Sequence, residues 1–99
     1  MLEDVSEMRT YFALVRKEPG SDYGVDFTDF PGCNTAGTTF EEACLMASEA
    51  LQFHIEGMVE DGALIPAQTS LDVIMSDPRN TDAIAIQVSV PIHFQQVTR

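Results

Sequence analysis

Residues 40–60, FEEACLMASEALQFHIEGMVE, hold one periodicity longer than any other segment, and they constrain the fold most. Phe40, Cys44, Ala47, Leu51, Ile55 and Met58 recur at helical spacing, with Ala43, Ala50 and His54 alongside. Thr38 and Thr39 stand three residues before Glu41 and Glu42. Either pair makes a capping box that satisfies unpaired amides at a helix start. Gly62 is placed to end the helix. At about 100° per residue the Phe40–Leu51–Met58 stripe is the centre of the apolar face. Glu41, Glu42, Glu49, Gln52, Glu56 and Glu60 fall opposite, with Leu45 exposed among them. Met46 and Phe53 form a shoulder beside Gly57, expected to pack on the 63–78 segment, with a second chain as the alternative. His54 lies within the apolar arc, where a bond to a backbone carbonyl is expected and an interface or pH-sensing role is the alternative.

Such a helix must bury its stripe on something, and its flanks read as strands. TYFALVRKE, from Thr10, is rich in β-branched and aromatic residues, with Phe12 and Leu14 on one face and Tyr11, Ala13 and Val15 on the other. The turn Glu18–Asp22 leads into YGVDFTDF, where Tyr23, Val25 and Phe27 alternate with Gly24, Asp26 and Thr28. Residues 10–30 therefore form a hairpin, preceded over residues 1–9 by a frayed arm or a short helical turn. Pro31-Gly32 turns the chain into CNTAG, a brief third strand. After the helix, ALIPAQ is a loop, and SLDVIMSDP is a short helix capped by Thr69 or Ser70 and stopped before Pro78. AIAIQVSVPI is the most regular strand, with Ile84, Ile86, Val88, Val90 and Ile92 on the face expected beneath the helix. The fold class is α+β in two layers: a small antiparallel sheet (hairpin, short third strand, C-terminal strand) on one main helix plus a short helix.

Ninety-nine residues make one domain with a core just large enough to fold unaided. Net charge is −11, and between Lys17 and Arg79 there are twelve acids and no lysine or arginine. Affinity for nucleic acid comes mainly from cations that neutralise phosphates. Alone, the chain is expected to repel nucleic acid and anionic membranes and to attract a basic protein. No apolar run suits a membrane span, and the polar N-terminus is unlike a secretory signal, so a cytoplasmic location is expected. Two cysteines in that setting argue for reduced thiols, and two distant histidines offer no metal-ligand pairing. No cofactor or metal is expected.

The segment DFPGCNTAGTTFEEA, residues 29–43, decides between chemistry and architecture. It lacks a phosphate-loop lysine, and Glu41 and Glu42 occupy the helix start where an anion would sit. Cys33 has only acids around it, which would raise its thiol pKa and oppose a nucleophilic role. Cys44 falls in the apolar stripe and reads as core. Asp26 and Asp29, with Glu41 or Glu49, would be the ligands of a metal-dependent nuclease. Their odd separation aims the two aspartates at opposite faces of a strand. The segment reads as a join between hairpin and helix, with no catalytic residue.

Residues 23–71 resemble the HicB family of antitoxins. The shared features are a strand ending FTDFPGC, the GTTFEEA helix start, and the EDGALIP exit, in that order and spacing. The resemblance implies a partial ribonuclease-H-like fold without a nuclease site, and a partner of the HicA type, a small basic toxin that cleaves messenger RNA. Inhibition would be steric and electrostatic, with carboxylates standing where RNA phosphates would lie. Family members usually continue into a DNA-binding segment. This chain stops at QQVTR, so residues 1–99 are expected to be a single antitoxin domain without that segment, and no DNA binding is expected of it. A metal-dependent nuclease and a general protein-interaction module are the competing functions. The expected partner contacts, from charge and exposure alone, are Asp22, Glu41, Glu49, Glu56, Glu60 and Asp61. Met46, Phe53 and Ile92 are the expected contacts of a homo-oligomer, with strand pairing at the sheet edge as its route.

Overall fold

The computed structural model describes the backbone of residues 2–97 and the side chains of residues 7–93. Within them lie β1 (Leu2–Lys17), β2 (Tyr23–Phe27), β3 (Asn34–Gly37), α1 (Phe40–Glu60), α2 (Leu71–Met75) and β4 (Ile84–Val97), with a 3-10 turn at Pro78–Asn80. The four strands form one antiparallel sheet in the order β3-β2-β1-β4. The α+β class and the hairpin, third strand, main helix and short helix fall where the sequence places them.

The expected N-terminal arm is the main correction. From Leu2 onward it is strand, paired without a break to the end of β4, from Leu2 opposite Val97 to Val15 opposite Ile84. β4 likewise runs to Val97, beyond the expected end at Ile92. β2 supports β1 only from Ala13 onward. Residues 2–9 and 90–97 therefore form a two-stranded ribbon that helps draw the molecule out to 57 × 27 × 19 Å.

Directly paired residues share a face of the sheet. Tyr11, Ala13, Val15, Val25, Phe27, Val88, Val90 and Ile92 lie on the face that α1 covers, and they pack with Ala43, Ala47, Leu51 and Ile55 of the helix. Full burial of a side chain such as Leu51 or Ile55 contributes about 1.5–3 kcal/mol. Cover fades toward the start of β4: Ile86 is half-buried, and Ile84, expected beneath the helix, is 54% exposed. Leu14 faces the other way and is buried outside the main core, as is Ile74 of α2. Arg16, on Leu14's side, donates to Arg79 O and Asn80 Oδ1, and Asn80 Nδ2 donates to Ile74 O, which ties the α2 region to that side.

Both ends of α1 are fixed by local chemistry. Thr39 is the N-cap, and its hydroxyl accepts from Glu42 N at 3.0 Å. Glu42 Oε1 reaches one residue further back than a standard capping box, to Thr38 N at 2.8 Å. The helix start lies hard against β3. A Cβ on Gly37 would sit 2.4 Å from Ala43 N and 2.8 Å from its Cα, so only glycine permits this approach. At the far end Gly62 has φ +70°, with Gly62 N donating to Val59 O and Ala63 N to Met58 O. This is the paired closure of a Schellman motif.

The connector does not cover the Met46/Phe53 shoulder, contrary to expectation. It runs along β1 instead, where Arg9 donates to Ile65 O and Tyr11 Oη to Pro66 O. Thr69 then docks on Asp29 through both its amide and its hydroxyl. Phe53 is left 80% exposed. Among the described residues no helix is long and apolar enough to cross a membrane.

Candidate functional site

The solvent face of α1 gathers the chain's unusual surface chemistry. Glu41, Glu42, Glu49, Glu56 and Glu60 are all exposed on it, and the exposed C-cap Asp61 follows. Twenty-one residues at about 1.5 Å each spread these acids along roughly 30 Å. Leu45, 62% exposed, and Phe53 stand among them, apolar side chains without cover on a charged face.

The arginines among the described residues lie elsewhere, each paired with an acid. Arg16 pairs with Asp26 at 3.0 Å, Arg9 with Glu7, and Arg79 with Asp77 at 2.8 Å. The Arg79 guanidinium holds the Asp77 carboxyl down to about 2. Lys17 lies 5.5 Å over the Tyr23 ring. No lysine or arginine occurs between residues 18 and 78, so α1 has no basic residue of its own to offset its acids.

The acids are not equivalent. Glu41 and Glu42 occupy the first turn, where the helix dipole favours negative charge. Glu56, Glu60 and Asp61 stand at the other end, where the dipole opposes them and no basic residue lies in the last turn. Glu56 and Glu60 are also four apart, so they repel each other along the helix. They border an open cleft of about 360 Å³ between α1 and β4, lined also by Gln52, Ile55, Val59, Pro91, Ile92 and His93. Gln52 Nε2 spans it to Pro91 O at 3.1 Å. The cleft was not readable from sequence, because its walls come from segments some forty residues apart.

Of the six expected contact residues, Glu56, Glu60 and Asp61 share this end, with Glu49 further along the same face. Glu41 lies at the opposite end, and so does Asp22, whose neighbour Tyr23 meets the Phe40 ring edge-to-face with centroids 6.1 Å apart. Of the expected oligomer contacts, Phe53 is exposed and Met46 half-buried. Ile92 is corrected: it is completely buried in the chain's own core and cannot offer its side chain to a second copy.

The residues weighed for catalysis have other work. Asp26 is held by Arg16, and Asp29 by Thr69. Among the described residues no three His, Cys, Asp or Glu side chains group in a way that could hold a metal ion. Cys33 is buried, which pushes its thiol pKa up, and Cys44 lies half-buried at the flank of the stripe. His54 is half-buried with its ring edge-to-face against Phe30, centroids 5.8 Å apart, where a carbonyl partner was expected.

Open sheet, single long helix and uncompensated acidic face together define a small α+β domain. The chain belongs to the HicB-like antitoxins of bacterial toxin–antitoxin systems, whose family profile matches residues 11–99. It is 41% identical over 70 residues to an uncharacterised 14.9 kDa protein of Haemophilus phage HP1, covering 71% of this chain and 53% of that protein. The crystal structure of the Burkholderia pseudomallei antitoxin HicB superposes with a TM-score of 0.76 at 29% identity, over 83% of this chain and 63% of that one. A chain of the HicA3 and HicB3 toxin-antitoxin complex gives 0.68 at 28% identity, over 81% and 95%. The chain thus spans between half and two-thirds of the phage protein and of the Burkholderia antitoxin.

Proposed function

We propose that this chain is a non-enzymatic antitoxin that binds a small basic toxin of the HicA type and covers the surface with which that toxin holds RNA. One observation carries the reading: α1 presents an acidic face to which its own half of the chain contributes no lysine or arginine. A toxin surface shaped for RNA is positively charged, and carboxylates along about 30 Å of helix offer it a succession of anions. Leu45 and Phe53 supply the apolar contact that gives such an interface its residence time, while the acids steer encounter. The HicA3 and HicB3 complex, whose fold this chain shares, supports a partner of that kind.

Association measured by stopped-flow against a HicA-type toxin, with RNA cleavage as the second readout, tests the proposal. The wild-type chain associates fast at low salt, slows steeply as salt rises, and suppresses cleavage. A toxin that cleaves RNA undiminished in the presence of excess chain would end the reading.

A further inference from the structure

The open groove of about 360 Å³ between α1 and β4 has an apolar floor and an anionic rim. Ile55 and Ile92 are buried at its floor, with half-buried Val59 and Pro91 beside them. Gln52, Glu56 and Glu60 stand four residues apart, so they follow one line of the helix along the groove. Gln52 donates across to Pro91 O and bridges the groove at that end. Glu56 and Glu60 are exposed further along the same line, toward the end of α1. No lysine or arginine lines the groove.

These features select an occupant. An apolar floor takes hydrocarbon, and two carboxylates whose Cβ atoms lie about 5–6 Å apart take a cation with donors on more than one edge. A divalent ion does not fit, because among the described residues no three His, Cys, Asp or Glu side chains group to hold one. Cavities that enclose a whole small molecule run from about 300 to 1,000 Å³, so an open groove of this size suits one long side chain. Arginine meets both demands, with a methylene stem for the floor and a planar fork of N–H groups that reaches two carboxylates at once. Lysine offers the stem but only a point charge.

We propose that the toxin of the preceding reading, on which this one rests, inserts a single arginine into the groove. Its stem lies on Ile55 and Val59, and Glu56 and Glu60 share its guanidinium. The bound cation also offsets the repulsion of the two glutamates for each other and for the helix dipole, which the free chain leaves without a basic residue in the last turn. Glu41 and Glu49 line no part of the groove and act only on encounter.

Dissociation of a HicA-type toxin, followed by stopped-flow displacement, tests this, because a partly buried ion pair governs departure while distant charges govern arrival. Glu56→Gln with Glu60→Gln is expected to speed dissociation roughly tenfold or more. Glu41→Gln with Glu49→Gln removes the same charge outside the groove, and is expected to slow association while dissociation changes by less than about twofold. Val59→Phe fills the floor without altering charge and is expected to speed dissociation as well, with circular dichroism to verify its fold. Among toxin arginines changed singly to lysine, one is expected to abolish the difference between the wild-type chain and the Glu56/Glu60 variant. Equal dissociation from the two glutamine pairs overturns the arginine seat and leaves the toxin-binding reading standing. So does the absence of any toxin arginine coupled to Glu56 and Glu60. A wild-type chain that binds no toxin overturns both.

Discussion

The two ends of α1 carry the same kind of residue with opposite physical consequences. At the N-terminal end, Glu42 accepts from Thr38, Thr39 caps Glu42, and the dipole welcomes both acids of the first turn. Glu42 thereby ties the first turn of the helix to Thr38, next to Gly37 at the end of β3. At the C-terminal end, Glu56, Glu60 and Asp61 repel one another and the dipole, and the backbone closure through Gly62 and Ala63 ends the helix. A sequence shaped only by stability would place lysines there. Acids at the start of α1 suit the helix, and acids at its end strain it while standing exposed.

Four measurements sharpen or break that contrast. The first of them reads binding. Reversing Glu49, Glu56 and Glu60 together to lysine slows association with a HicA-type toxin by roughly tenfold or more and flattens its salt dependence. Unchanged stopped-flow rates would remove these residues from the interface.

At the structural end, Gly37→Ala drives a Cβ into the backbone of Ala43 and costs about 2–3 kcal/mol in urea unfolding. A near-neutral result would mean that the first turn of α1 moves freely away from β3. Thr39→Ala removes the cap acceptor and costs about 1 kcal/mol by the same assay, with toxin affinity unchanged among folded molecules.

The smallest effect has the opposite sign. Glu60→Lys relieves repulsion and suits the dipole, so stability at low salt rises by roughly 0.3–0.5 kcal/mol while association slows. A destabilised Glu60→Lys protein would erase the distinction between the two ends.

Local signals were legible in the sequence. Hairpin, cap residues, Gly62 and the limits of α1 rest on turn chemistry and a long helical period, which neighbours in sequence determine together. What escaped was non-local. Residues 2–9 show little alternation, and they are strand because the end of β4 lies alongside them. The path of the connector depends on Arg9, Tyr11 and Asp29, all far from it in sequence. Exposure of Phe53 follows from that path, because the layer expected over it went to β1 instead. Asp26 and Asp29 could be read as ligands only while Arg16 and Thr69 were unplaced. The acidic face was visible as a charge pattern, but its division into a stabilising and an uncompensated end needed the helix limits and the neighbouring cleft.

Pairing between the first strand and the last has a consequence for synthesis. β1 leaves the ribosome well before β4, and its edge toward β4 stays open until residues 84–97 have been made. Contacts between such distant segments form slowly. A nascent or shortened chain therefore displays an unpaired strand to proteases and to other nascent chains.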